Sequence, residues 1–198
     1  MIMVTTMING RTVVAKFITK TARDFSCLQC NLPEPLASQI YHWGCDNITE
    51  DDLWPEEGRQ EDIHVTVKYG IHTIDFTEAR NLLMNQGPIS ITLGNVSLFE
   101  QPDHDVVKLD VTSPDLQKLN KIITGGLETT DKFPLYIPHV TIAYVRKGRG
   151  THLVGREDFK GITVILTSAV FSGHDYRKTL LHFVPPYPQE RVSIPPLS

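Results

Sequence analysis

Apolar and polar residues alternate with a period of two in several segments of the chain, and this pattern predicts β-strands. The first two segments, MVTTMI and RTVVAKFI, flank Asn9-Gly10, a dipeptide typical of the two-residue turn of a β-hairpin. Further strands are predicted at DFSCLQCNL, ISITLGNVSLF, VVKLDV and TVILTSAVF. The chain is therefore expected to be rich in β-structure.

Three other segments carry helix signals. PEPLASQIYHW begins with prolines that suit a first helical turn. Thr77 is expected to cap the helix TEARNLLMNQ, which Gly87 and Pro88 close. Ser113 and Pro114 fit the N-cap and the first position of a third helix. The apolar face of this third helix consists of Leu116, Leu119, Ile122 and Ile123. Strands and helices mixed in this order predict an α+β fold.

Two further strands share a His-Val-Thr core. Residues 63–70 read IHVTVKYG, and residues 138–145 read PHVTIAYV. A single His-x-Thr is a weak signal in a chain with 8 histidines, but the longer match is hard to obtain by accident. Each copy also lies in the same order of strand, helix, His-Val-Thr strand, helix and strands. This internal duplication predicts that the two motifs occupy equivalent positions and face each other across a pseudo-twofold axis.

The polar residues of each copy fall on one face of its strand. Alternation places His64, Thr66 and Lys68 together, and likewise His139 and Thr141. Of two converging histidines, one can act as general base and the other as general acid, and threonine hydroxyls can donate hydrogen bonds to phosphate oxygens. Lys68 either stabilises the developing negative charge or is a solvated lysine at the strand end. No carboxylate cluster accompanies them, so neither a metal nor a cofactor is expected. Which histidine is the base stays open.

Composition and charge narrow the class of protein. The 198 residues suffice for one substantial domain, and the net charge of −4 argues against a protein that coats nucleic acid. The acidic residues are concentrated in residues 46–62. This segment is either a solvated loop or a lid beside the first histidine whose negative charge repels long polyanions. No membrane-spanning run or secretory signal is recognised. The three cysteines suit a reducing compartment, so a cytoplasmic protein is expected.

The pair of His-x-Thr motifs resembles the 2H phosphoesterase superfamily, which includes 2′-5′ RNA ligase-like proteins and cyclic phosphodiesterases. The segment EGRQEDIHVTVKYGIH is also similar to phage-encoded members, some of which cut the cyclic oligonucleotide signals of bacterial immunity. The resemblance covers roughly residues 24–184. It implies a bilobal pseudo-twofold fold, with two antiparallel sheets flanking a central cleft and helices outside. It also implies that His64 and His139 are the acid and base and that Thr66 and Thr141 bind phosphate.

The expected organisation has a hairpin extension at residues 1–23 and a proline-rich tail at 185–198. Between them lies one bilobal domain, residues 24–184, with lobes 24–103 and 104–184. The expected activity is metal-independent cleavage of a small ribonucleotide phosphodiester: a cyclic nucleotide, a cyclic oligonucleotide (an anti-CBASS activity) or a 2′-5′-linked oligomer. Neither a membrane nor long nucleic acid is an expected partner, and a phage-encoded protein would act in the host cytoplasm.

Other interpretations remain open. The same fold could bind nucleotides or RNA without cutting them. Tyr136, just before the second motif, either stacks on a base of the substrate or packs in the protein. The spacing of Cys27, Cys30, His42 and Cys45 faintly suggests structural zinc. Against zinc, the first two cysteines would point to opposite faces of a strand.

Overall fold

The computed structural model describes residues 2–8, 11–17, 24–131 and 135–183. Strand β1 (Ile2–Ile8) pairs antiparallel with β2 (Arg11–Phe17) as a two-stranded sheet. Ile8 lies opposite Arg11, so the hairpin predicted from the Asn9-Gly10 signal is present. The turn itself and the predicted proline-rich tail lie outside the described residues.

Eight strands form the main sheet: β3 (Ser26–Asn31), β4 (His64–Ile71), β5 (Ile89–Glu100), β6 (His104–Thr112), β7 (His139–Arg146), β8 (Thr163–Leu166), β9 (Ser168–Ser172) and β10 (Lys178–His182). Their order across the sheet is β10-β9-β3-β4-β7-β6-β5-β8, and each neighbouring pair is antiparallel. The two strands that carry the His-Val-Thr motifs therefore lie side by side at the centre of the sheet.

This pairing joins the strands in one sheet, whereas two separate sheets were expected, and the lobe boundaries stay a prediction. β5 comes from residues 24–103 but pairs with β6 and β8. β9 and β10 come from residues 104–184, and β9 pairs with both β3 and β10. Each half of the sheet therefore draws strands from both parts of the chain. The two halves join at β4 and β7, because pairing these strands satisfies backbone groups that two open edges would leave exposed.

In the described residues, three α-helices accompany the sheet: α1 (Leu36–Asn47), α2 (Phe76–Leu83) and α3 (Pro114–Gly126). α3 begins as predicted, since the Ser113 side chain accepts a hydrogen bond from the Leu116 amide at 3.2 Å. α2 begins differently, because the Asp75 side chain caps it and accepts a hydrogen bond from the Thr77 amide at 2.9 Å. Asp75 has an extended backbone that suits a cap, and Thr77 already lies in the first helical turn.

The core lies between the helices and one face of the sheet. Val65 and Val67 of β4 and Val140 and Ile142 of β7 are at most 1% exposed on this face. α3 packs on β4 and β5, and α1 packs on β7. Burying each such side chain contributes about 1.5–3 kcal/mol. The opposite face of β4 and β7 is left for polar residues. None of the helices in the described ranges is long and apolar enough to cross a membrane.

Candidate active site

The centre of the site is the short overlap of β4 and β7. Within the described chain, these two strands pair through one bridge, Val65 opposite Val140, close to the beginning of each strand. Beyond the bridge, each strand extends past the first residue of its partner. There, β7 pairs with the segment that precedes β4, and β4 pairs with the segment that precedes β7. Residues 53–60 of the acidic loop pair along β7, and residues 128–130 pair along β4. The acidic loop is thus a structural extension of the sheet at this point.

The overlap brings the four predicted catalytic residues together. Facing residues of an antiparallel pair share a face, so the register places His64 across from Thr141 and Thr66 across from His139. All four side chains are half-buried, and the burial pattern of the first seven residues is the same in β4 and β7. The face opposite the core therefore presents two imidazoles and two hydroxyls at the centre of the sheet.

Both imidazoles are held in the same orientation. Nδ1 of His64 donates to the carbonyl oxygen of Asp62 at 2.5 Å, and Nδ1 of His139 donates to that of Ile137 at 2.8 Å. Since a carbonyl oxygen can only accept, each Nδ1 carries a proton. In the neutral ring, Nε2 then keeps its lone pair. Each histidine thus has one nitrogen fixed by the backbone two residues earlier and the other available for proton transfer.

The surroundings of the histidines favour their neutral forms. Burial lowers the pKa of both His64 and His139, and the contacts with the carbonyls of Asp62 and Ile137 only partly oppose this. The charge of His139 further lowers the pKa of His64. Because each protonated ring disfavours protonation of its neighbour, the pair suits a state with one neutral and one charged ring.

Lys68 does not lie beside the histidines, in contrast to the prediction from simple alternation. Thr66 lies opposite Gln29, whereas Lys68 lies opposite the core residue Leu28, so β4 has one extra residue between them. This β-bulge turns Lys68 to the helix-covered face, where its side chain is 3% exposed and forms an ion pair with Asp131. The strict period of two fails here because a bulge shifts every later side chain by one position.

Tyr136 lies next to the site, with its hydroxyl already engaged. The phenol donates to the carbonyl oxygen of Thr66 at 2.8 Å, and burial raises its pKa. Gln117 donates to the Tyr136 carbonyl at 3.3 Å. These contacts tie the loop before β7 to β4 and to α3, which supports the packing interpretation. The stacking of its ring on a base stays a prediction.

Two residues of β6 that the sequence analysis did not single out also face the site. Lys108 lies opposite Thr141, and Asp110 lies opposite His139. The Lys108 ammonium is 2.6 Å from Oδ1 of Asp110. The segment VVKLDV held a usable signal, because its lysine and aspartate are two apart and must share one face. The sequence does not say that β6 and β7 are neighbours, so the residues could not be assigned to the site.

Aromatic rings border the site along both strands. Tyr69 and Tyr144 each lie five residues after their own histidine and are half-buried. The ring of Phe25 lies 6.0 Å from that of Tyr69, and the ring of His104 lies 5.9 Å from that of Tyr144. Trp54 of the acidic loop stacks on His104 at 5.4 Å. The resemblance between the two motifs thus extends to their flanks.

The cysteines do not form the zinc site that their spacing suggested. Cys27 and Cys30 are buried in β3, whereas Cys45 is exposed on α1. Burial, together with the nearby Cys27, raises the pKa of Cys30 to about 12. Among the side chains in the described ranges, no group of three or more His, Cys, Asp or Glu residues could hold a metal ion.

Comparison with known proteins adds a family and a fold. A family model described as anti-CBASS protein Acb1 matches residues 46–176, which is more than half of the chain. A crystal structure described as a phosphoesterase has a TM-score of 0.56 at 18% identity, over 82% of this chain and 96% of that chain. E. coli LigT in its apo form has a TM-score of 0.56 at 19% identity, over 83% and 96%.

E. coli LigT complexed with 3′-AMP has a TM-score of 0.53 at 18% identity, over 83% of this chain and 96% of that chain. At these identities, the solved structures establish a shared fold. No curated protein matched the chain significantly.

Proposed function

The chain belongs to the family of the anti-CBASS protein Acb1, and from this premise we propose that it is a phosphodiesterase that cleaves a cyclic oligonucleotide signal of bacterial immunity. The resemblance to 2H phosphoesterases is confirmed by this membership together with the fold shared with LigT. We further propose that the protein acts in the cytoplasm, where such a signal would be met.

The observation that carries the proposal is the pair of imidazoles on the same face of the sheet. Nδ1 of each imidazole is hydrogen-bonded to a backbone carbonyl oxygen. One free Nε2 accepts the proton of the ribose 2′-hydroxyl, and the hydroxyl oxygen attacks the adjacent phosphorus. The other histidine gives its Nε2 proton to the leaving 5′ oxygen as the phosphorus–oxygen bond breaks. The product is a 2′,3′-cyclic phosphate, and the two histidines have exchanged protonation states.

Thr66 and Thr141 are proposed to bind the non-bridging oxygens of the phosphate. Each lies across from the other strand's histidine, so a phosphate between the imidazoles is within reach of a hydroxyl from either side. A hydroxyl donor that bonds better to the more highly charged transition state would lower the barrier. Because the threonines and histidines come from two strands, their spacing depends on the Val65–Val140 bridge.

A small substrate fits the charge of the protein better than long RNA. The net charge of −4 gives little attraction for a polyanion. The acidic loop adjoins β7 and ends just before His64. LigT, which shares the fold, was crystallised with 3′-AMP, ATP and NADP+. A nucleotide-sized ligand with few phosphates is therefore proposed for this chain.

The test is a panel of substrates offered to the purified protein in EDTA. It contains cyclic di- and trinucleotides with 3′,5′ linkages, 2′,3′-cyclic nucleotides, 2′-5′ oligoadenylate and linear RNA. His64→Ala and His139→Ala are expected to abolish turnover of the preferred cyclic oligonucleotide while melting like the wild type. His42→Ala, on the exposed side of α1, is the matched control and is expected to retain activity. Full activity in either of the first two variants would refute the acid–base assignment.

The competing function is nucleotide binding without cleavage on the same fold. Calorimetry with the same panel distinguishes the two. Tight binding of a cyclic oligonucleotide that the wild-type protein leaves intact over the whole pH range would favour the binding domain. Cleavage that requires both histidines would exclude it.

A further inference from the structure

The strand next to β4 carries neutral amides beside the first motif. In β3, Asn31 lies opposite His64 and Gln29 lies opposite Thr66. Nε2 of Gln29 donates to Oδ1 of Asn31 at 3.0 Å. The amide pair therefore satisfies part of its own hydrogen bonding and brings no net charge to the His64 side.

The strand next to β7 carries an ion pair at the corresponding positions. In β6, Asp110 lies opposite His139 and Lys108 lies opposite Thr141. The correspondence is close, because β4 and β7 each have one extra residue directly after the threonine: between Thr66 and Lys68 in β4, and between Thr141 and Ala143 in β7. Two strands with the same motif and the same irregularity thus differ in their neighbours: one neighbour carries an ion pair and the other carries neutral amides.

The ion pair belongs to a compact cluster, which we call the Lys108 cluster and which consists of Lys108, Asp110 and Ser97. Nζ of Lys108 donates to Ser97 Oγ and to Asp110 Oδ1, both at 2.6 Å, and Ser97 Oγ donates to Asp110 Oδ1 at 2.6 Å. The ammonium also lies 4.3 Å from the centre of the Phe99 ring, which contacts the His139 ring at 4.8 Å. The Lys108 side chain is only 4% exposed, so it is fixed by these contacts.

We propose that the Lys108 cluster is a positioning device that acts on His139 alone and makes the two otherwise equivalent histidines unequal partners in the reaction. The proposal deepens the function proposed above, since it assigns a distinct role to each half of the same site. Lys108 is too buried to be assigned a direct contact with substrate. It acts through Asp110 and through the ring of Phe99, both of which adjoin His139.

Charged groups also face His64, and their exposure distinguishes them from Lys108, whereas the side chain of Asp110 is 50% exposed, much as theirs are. Asp62 and Lys178 of β10 form an ion pair beside His64, with side chains 54% and 49% exposed. Water and salt screen a pair of this kind, so its effect on the imidazole is weak. Lys108, in contrast, is shielded from solvent. The two histidines also lie near each other, and a charge on one ring disfavours protonation of the other.

The two charges of the cluster act on His139 in opposite directions. Lys108 lowers the pKa of His139 and Asp110 raises it. Removing them one at a time should therefore move the titration of His139 in opposite senses. A cluster that merely supports the fold would not produce shifts of opposite sign.

The experiment is an NMR titration of the two imidazoles in the full chain, without substrate. Lys108→Met is expected to shift the titration midpoint of His139 upward, because it removes a positive charge that disfavours the protonated imidazole. Asp110→Asn should shift it downward. His64 should move much less in each case. Asp110→Asn keeps the shape of a half-exposed side chain, so it tests the proposal even if Lys108→Met folds poorly.

Gln29→Met is the matched control, because it changes the position opposite Thr66 without removing a charge. It should move neither titration curve. Equal shifts of both histidines, shifts of the same sign in Lys108→Met and Asp110→Asn, or no shift of His139 would overturn the proposal.

Turnover supplies an independent readout. In the same variants, one limb of the pH profile of kcat/KM should move with the His139 titration, and the other limb should stay in place. If the acidic limb moves, His139 is the base; if the basic limb moves, His139 is the acid. If the wild-type protein cleaves no substrate, the proposed function fails. The NMR titration still decides whether the Lys108 cluster acts on His139.

Discussion

Asp131 pairs with Lys68 on the face of β4 opposite the histidines, and only the lysine of this pair is buried. The two partners should therefore respond differently to substitution. Asp131→Ala leaves a buried ammonium without its partner, so we expect it to lower the free energy of unfolding by about 1–3 kcal/mol. Lys68→Met leaves a carboxylate that water can hydrate, so we expect a smaller loss. Urea denaturation of both variants measures the difference.

Lys68→Met should also retain kcat/KM close to the wild-type value, because the side chain does not reach the imidazoles. A loss of turnover as large as that of Thr66→Val, without a loss of stability, would contradict the geometry and return Lys68 to the active site.

The threonine hydroxyls are expected to act on the phosphate. Thr66→Val and Thr141→Val keep the size and branching of the side chain but remove one hydrogen bond to a charged group, worth about 1.5–3 kcal/mol. Each should lower kcat/KM by roughly tenfold to a hundredfold, since 1.4 kcal/mol corresponds to about a factor of ten. Steady-state kinetics on the preferred substrate test this. Thr→Ser at the same positions should recover most of the activity, and a valine variant as active as the wild type would remove that threonine from the proposal.

The optimum of the reaction should lie on the acidic side of neutrality. The base must be neutral, which requires a pH above its pKa, and the acid must be protonated, which requires a pH below its pKa. Burial holds the pKa of both histidines below the ordinary value of 6.5. The free enzyme therefore has the largest population of the active form below pH 6.5, and kcat/KM should fall as the pH rises beyond it. A profile of kcat/KM that peaks well above neutrality would show that other groups carry the protons.

Gly70 is expected to be the most sensitive glycine near the site. Its φ is +90°, and a Cβ at this position would lie 2.0 Å from the carbonyl oxygen of Thr130. Gly70→Ala should cost about 3 kcal/mol or more, because it adds backbone strain to a clash with main chain that pairs along β4. Gly155, with a φ of +86° and open space around it, is the matched control. Gly155→Ala should cost only the strain, about 1 kcal/mol. Equal melting temperatures for the two variants would contradict this account.

The sequence by itself determined the identity of the strands and the chemistry of the central residues. The apolar half of each His-Val-Thr strand had to face helices, so His64, Thr66, His139 and Thr141 had to face away from the core, as they do. The caps and turns were also readable where a local hydrogen bond decides them, as at Ser113. Thr77 was misassigned because Asp75, two residues earlier, offers an equally good acceptor.

Only the tertiary structure decided which strands are neighbours and where their registers break. The period of two holds along a strand until a bulge interrupts it, and no local signal marked the bulge that removes Lys68 from the site. Pairing between distant segments brought Lys108 and Asp110 to His139, and it distributed strands of both chain halves across one sheet. These features depend on backbone hydrogen bonds between residues far apart in sequence. Such bonds have the same chemistry at every position, and for this reason the side-chain pattern does not specify them.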